Sequence, residues 1–151
     1  MIVANRSTLS IYSETRTIAE ITAALGIEPH SSADVGQPTR AALAGRALSA
    51  EYMSHQRTHW SFNSDQSLVD DEDDPGVGSL RALVEAFHGR ADALRSLRPE
   101  CETVIWWSAD SDSSQGTFVI PPALLADLAL LGCELRGTSF LDDDEADLED
   151  V

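Results

Sequence analysis

Apolar and polar residues alternate through Thr8-Leu9-Ser10-Ile11-Tyr12, the period of a strand with one face buried. The period then lengthens. Ile18, Ile21 and Leu25 recur at helical spacing, Thr17 with Glu20 three residues on forms a capping box, and Gly26 is a natural helix stop. Residues 30–57 carry Gly36, Pro38 and Gly45 among small and polar residues, which predicts an irregular connection with one helical turn near residues 41–50. Strict alternation returns at residues 58–63, with Trp60 and Phe62 on the buried side.

Residues 69–78 are an acidic run closed by Pro75, Gly76 and Gly78, a solvated loop ahead of a helix that Ser79 caps. Leu80, Leu83, Val84 and Phe87 form that helix's stripe, which resumes at Ala91, Leu94 and Leu97 after a bend at Gly89 and ends at Pro99. Residues 103–108 are too apolar for a strand wetted on one face and belong in the middle of a sheet. Their Trp106-Trp107 pair sends one indole to each face, and burial of both is favoured because an exposed strand Trp is unusual. A polar turn over 110–116 leads to a partner strand at 117–120. Pro122 then opens a last helix stopped by Gly132, and residues 133–140 make the final strand.

Strands and helices alternating in this way predict one α+β domain over residues 1–140: a ferredoxin-like sandwich, mostly antiparallel, with two or three helices packed on one face. Residues 17–29 and 122–135 share a helix, Leu-Gly, strand layout, which is the pattern of an internal pseudo-repeat. Residues 141–151 form an acidic tail.

These residues resemble a known family. The run Leu25-Gly26-Ile27-Glu28-Pro29, the strand tryptophan Trp60, Leu94-Arg95-Ser96-Leu97 and the stretch from Leu124 to Leu135 together resemble the bacterial family termed domain of unknown function 4279, from about Thr8 to Phe140. The matching motifs are helix ends and core positions, and no catalytic residues carry over with them. The resemblance implies a small cytosolic single domain, with some members acting as immunity proteins beside toxin genes.

Composition adds a constraint on partners. The 151 residues hold 26 Asp and Glu against 10 basic residues, all Arg, for a net charge of −16. That balance excludes a nucleic-acid binder or an anionic-membrane binder, and the lack of Lys excludes a Schiff-base or phosphate-loop lysine. The charge is uneven: residues 70–74 and 142–150 together hold 12 of the 26 acids, and the remainder of the chain is close to balanced. No secretory leader or bilayer-spanning run is evident, so a cytoplasmic location is expected, where Cys101 and Cys133 stay thiols.

No catalytic constellation emerges, so the reading leans away from an enzyme and assigns no cofactor and no metal. His55 and His59 stand four apart, a metal-ligand spacing on a helix, yet His59 belongs to the alternating strand. Residues 110–116 echo a calcium loop, but the Gly falls one position late and Pro121 stands at the twelfth place. The favoured function is a non-enzymatic protein-binding module: an acidic inhibitor or immunity protein that docks on a basic partner such as a nuclease toxin. Asp70, Asp71, Glu72, Asp73 and Asp74 would be its contacts. One alternative is a small-ligand domain or small enzyme with a pocket between the sheet and residues 30–57, where Arg40, Arg46, His55, Arg57 and His59 gather positive charge and Trp60 completes the residue set. A structural dimerisation domain, a homodimer joined through a sheet edge or helix face, is the other.

Overall fold

The computed structural model describes residues 1–66 and 76–141, so the acidic residues 70–74 and the tail at 142–151 lie outside the described residues. In chain order the elements are β1 (Ile2–Ser13), α1 (Ile18–Leu25), β2 (Ser31–Ala33), α2 (Arg40–Leu43), α3 (Ala50–Met53), β3 (Thr58–Gln66), α4 (Gly78–Ala86), α5 (Ala91–Leu97), β4 (Cys101–Ser111), α6 (Pro122–Leu131) and β5 (Glu134–Leu141). The fold is α+β, with a five-stranded mixed sheet ordered β2-β3-β1-β4-β5 and six helices among the described residues.

The first strand in the sequence is the central strand of the sheet. β1 pairs antiparallel with β3, where Ile11 stands opposite Trp60, and antiparallel with β4, where Leu9 stands opposite Ile105. β5 joins β4 in parallel, which requires the crossover that α6 supplies. Directly opposed residues share a face, so Leu9, Ile11, Trp60, Ile105 and Trp107 all point to one side. Leu80 and Leu83 of α4 with Phe87 just after it, Leu94 and Leu97 of α5, and Leu124, Leu128 and Leu131 of α6 complete the single apolar core there. Among the described residues, Val104 is the one buried apolar residue outside that cluster, because its strand position turns it to the opposite face.

Local chemistry accounts for the boundaries. Thr17 accepts from the Glu20 amide while the Glu20 carboxylate accepts from the Thr17 amide at 2.8 Å, the reciprocal box that satisfies two orphan donors of α1. That bonding also holds the Glu20 carboxyl below its ordinary pKa. Helices α1 and α6 both end on a left-handed glycine, Gly26 at φ 65° and Gly132 at φ 66°. The stripe over 80–97 divides into α4, which ends at Ala86, and α5, which begins at Ala91, and in the turn between them Gly89 takes a φ of 77°.

Several expectations are revised. Residues 117–120 form no strand; Phe118 instead folds back so that its ring centre lies 4.7 Å from that of Trp107. The strand expected from Thr8 begins at Ile2, because Asn5 and Ser7 place polar side chains on the core side and mask the alternation. Ser79 does not cap α4 with its hydroxyl. The Asn5 carboxamide Oδ1 accepts the Ser79 amide at 2.8 Å instead. Finally, Trp106 is 41% exposed whereas Trp107 is buried, so only one of the two indoles joins the core.

Candidate functional site

The sheet face away from the core carries a connected row of rings and charges. Tyr12 of β1 stacks on His59 of β3 with centroids 4.9 Å apart and planes 8° from parallel. Arg57, just ahead of β3, places its guanidinium 4.8 Å above the Tyr12 ring and donates through Nη1 to Glu102 Oε2 at 2.8 Å. The other oxygen of Glu102 lies 3.9 Å from Arg136 of β5, and that guanidinium sits 5.0 Å above the Trp106 ring. Arg136 also donates to Glu134 at 2.8 Å.

The row therefore crosses the sheet from β3 through β1 and β4 to β5, and strand alternation explains why these residues meet. Its ion pairs are partly solvated and contribute at most about 1 kcal/mol each. Their effect is to fix rotamers, so that two arginines lie flat on two aromatic rings. Beyond β5 the apolar surface continues: all eight residues of that edge strand are exposed, Phe140 and Leu141 among them.

Burial holds the His59 imidazole below its ordinary pKa, and the nearby His55 and Arg57 act in the same direction. Its Nε2 is enclosed without a hydrogen-bond partner. Unfolding restores the ordinary value near 6.5, so the unfolded chain takes up this proton first, and stability falls as pH drops below about 6.5 toward the lower folded value. His59→Phe, which keeps a ring against Tyr12, is expected to flatten the dependence of unfolding free energy on pH between about 7 and 5. Urea titrations at several pH values with equal slopes for both proteins would contradict this.

At the end of the sheet where β1 finishes and β4 starts lies an open cleft of about 490 Å³, lined in part by Tyr12, Glu14, Arg57, Arg98, Glu100 and Glu102. Its charges are largely satisfied internally: Glu102 pairs with Arg57, Glu100 pairs with Arg16 at 2.5 Å, and Arg98 donates to the Leu131 carbonyl at 2.6 Å. Cys101 also lines it, but burial raises its thiol pKa, which disfavours the thiolate a nucleophile needs. Burial raises Cys133 as well.

The structure brings together only part of the residue set expected around 30–57. Arg57 and His59 both meet Tyr12 on the open face. Trp60 points the other way, fully buried, with its Nε1 donating to Thr22 Oγ1 at 3.1 Å. Arg40 begins α2 and Arg46 follows it, while the His55 amide donates to the Gln37 carbonyl at 2.8 Å. Because His55 and His59 are not in one helix, their spacing does not put them on a common helical face. Among the described residues no group of three or more His, Cys, Asp or Glu converges as metal ligands. Tyr12, Glu102, Trp106 and Arg136 were not picked out as a set, since their meeting depends on strand register.

The family model described as domain of unknown function (DUF4279) matches residues 4–138. The chain belongs to that family. No curated protein matches the chain, and no solved structure matches it. Over the DUF4279 span, no helix among the described residues is long and apolar enough to cross a membrane.

Proposed function

We propose that the chain is a non-enzymatic protein-binding module of the bacterial cytoplasm, an acidic inhibitor or immunity protein that docks on a basic partner such as a nuclease toxin. The observation that carries this reading is the open sheet face, where Arg57 covers Tyr12 and Arg136 covers Trp106. Tyr, Trp and Arg are the residues enriched at the energetic centres of protein interfaces, and here they are held in fixed rotamers before any partner arrives. The acids at 70–74 and in the tail supply a long-range field that speeds encounter with a positive surface.

The test is co-expression with the product of a toxin gene adjoining its own. Rescue of growth is expected, and the double variant Trp106→Ala, Arg136→Ala should abolish it. Replacing Asp70, Asp71, Glu72, Asp73 and Asp74 by their amides should slow association about tenfold at low salt while changing dissociation little. A complex whose association rate ignores both salt and these substitutions would sink the electrostatic part of the reading.

The cleft beside Arg57 favours a second reading, a small-ligand domain or small enzyme, and the exposed edge at β5 favours a structural dimer. Light scattering and ligand titration at the cleft separate these from the first. For the fold, we also read a ferredoxin-like sandwich with an internal pseudo-repeat of strand, helix and strand; its support is the matched Leu-Gly endings of α1 and α6, each followed by a strand.

A further inference from the structure

The two edges of the sheet are protected very differently. β2 is three residues long and holds only serine and alanine, which suits an edge that meets water. β5 runs eight residues in unbroken register with β4, without proline or bulge, and every one of its residues is exposed. Among the described residues no strand pairs with its outer side. Leu135, Phe140 and Leu141 stand on it at 37%, 55% and 52% exposure. Such an edge is a template for another strand.

The helix that precedes β5 is also uncovered on its outer side. Residues 122–131 of α6 contain one polar residue, Asp127, and a helix apolar all round belongs in an interior. Leu124, Leu128 and Leu131 reach the core, whereas Leu125 and Leu130 are 50% and 62% exposed. Asp127 lines a groove shared with Arg81 and Glu85 of α4. Leu125 and Ala129, one turn apart, therefore occupy the opposite flank. Because α4 packs on β1 and β3, that flank looks outward over the β5 edge.

One symmetry operation answers both features. A twofold axis perpendicular to the sheet, just outside β5, pairs that strand antiparallel with its own copy and keeps the two core faces on the same side. A crossover helix lying over the strands it joins stands about one strand spacing, ~4.8 Å, from such an axis. The two α6 axes then lie roughly 10 Å apart, at helix packing distance. Side-chain identity sets the register. Centring the pair on Thr138 puts Leu135 against Leu141 of the second copy on the helix side, and Arg136 against its Phe140 on the open face. Centring on Arg136 would oppose two guanidiniums, and centring on Gly137 would set Phe140 against Glu134. Charge favours the antiparallel sense as well: seven acids lie between 142 and 150, and the two chains leave residue 141 at opposite ends of the junction.

We propose that the chain forms a twofold dimer in which β5 pairs antiparallel with β5 of a second copy about Thr138, making a ten-stranded sheet, and α6 packs on α6. This rests on the edge-dimer reading of β5 given above and adds to it a register and a helix contact. A specific dimer covers roughly 800 Å² per partner, the scale of a strand edge and a helix flank together. The open face stays uncovered, so the dimer and the docking of a basic partner are separable by salt. Docking between opposite charges weakens as salt rises, whereas two chains of net charge −16 associate more tightly once screened.

Sedimentation velocity of the full chain over a range of concentrations tests this. A species of twice the chain mass is expected, with a dissociation constant that falls about tenfold between roughly 0.02 and 0.5 M sodium chloride. Leu125→Glu with Leu130→Glu alters exposed positions only, so it should keep the circular dichroism of the unsubstituted chain and weaken the dimer at least about tenfold. Thr138→Cys places a thiol beside its own copy and should give an intermolecular disulfide under mild oxidation. Arg136→Cys should not, because its copy lies four residues along, roughly 13 Å away. The unsubstituted chain, with Cys101 buried and Cys133 half-buried, is the control. A monomer at every concentration and salt would overturn the proposal. So would a dimer that cross-links through Arg136→Cys rather than Thr138→Cys, or one that the two glutamates leave unweakened.

Discussion

Trp60→Ala is expected to remove about 3–5 kcal/mol of stability, a large part of the 5–15 kcal/mol roughly typical of a domain. Trp60 is fully buried, meets Phe87 edge to face at a centroid distance of 6.4 Å, and donates its indole N–H to Thr22 at 3.1 Å. Truncation removes the ring, leaves a cavity between β3 and α4, and frees a threonine hydroxyl that had a partner. Trp60→Phe keeps most of the ring contact and should cost less, about 1–2 kcal/mol. Thr22→Val separates the two contributions, because it leaves the packing and orphans the indole N–H at a cost of about 1–3 kcal/mol. Urea unfolding monitored by circular dichroism reads all three. A midpoint for Trp60→Ala close to that of the unsubstituted chain would remove Trp60 from the centre of the core.

Gly132→Ala should cost about 2–3 kcal/mol while Gly26→Ala costs about 1 kcal/mol, although the two glycines end their helices at nearly the same φ. At Gly26 a methyl group meets nothing within 4 Å, so only the left-handed backbone opposes it. At Gly132 the methyl runs into the Arg98 guanidinium, which donates to the Leu131 carbonyl at 2.6 Å and so helps close the end of α6. Alanine there displaces the cap as well as straining the turn. The check is a double-mutant cycle: in an Arg98→Ala background the extra cost of Gly132→Ala should shrink toward that of Gly26→Ala. Equal costs in the unaltered background would mean that the guanidinium moves aside freely.

The elements that the sequence revealed are those whose signals are local. The capping box at Thr17 and Glu20, the glycine stops at 26 and 132, and Pro122 at the first turn of α6 each act within a few residues, and each lies where the pattern put it. The failures come from tertiary contacts. Residues 117–120 have strand composition, but β5 pairs with β4 in their stead and Phe118 is drawn onto Trp107. Asn5 and Ser7 break the apolar alternation of β1 because they serve α4, more than 70 positions along the chain.

The candidate surface divides in the same way. Alternation alone sends His59 and Trp60 to opposite faces, so their separation was readable. The row from His59 through Tyr12, Arg57 and Glu102 to Arg136 was not, since it joins four strands whose order and register no local pattern encodes.

The central place of β1 also sets how the chain must fold. Its two partners lie roughly 50 and 100 residues further along, so the middle of the sheet closes only after two long loops have lost their freedom. Folding is therefore expected in the slow range of two-state domains, milliseconds to seconds, with the α1 turn and the α4–α5 pair able to form well before the sheet. Until β3 and β4 arrive, β1 exposes a 12-residue strand with both edges open, and that interval is when the chain is most prone to pair with another copy of itself.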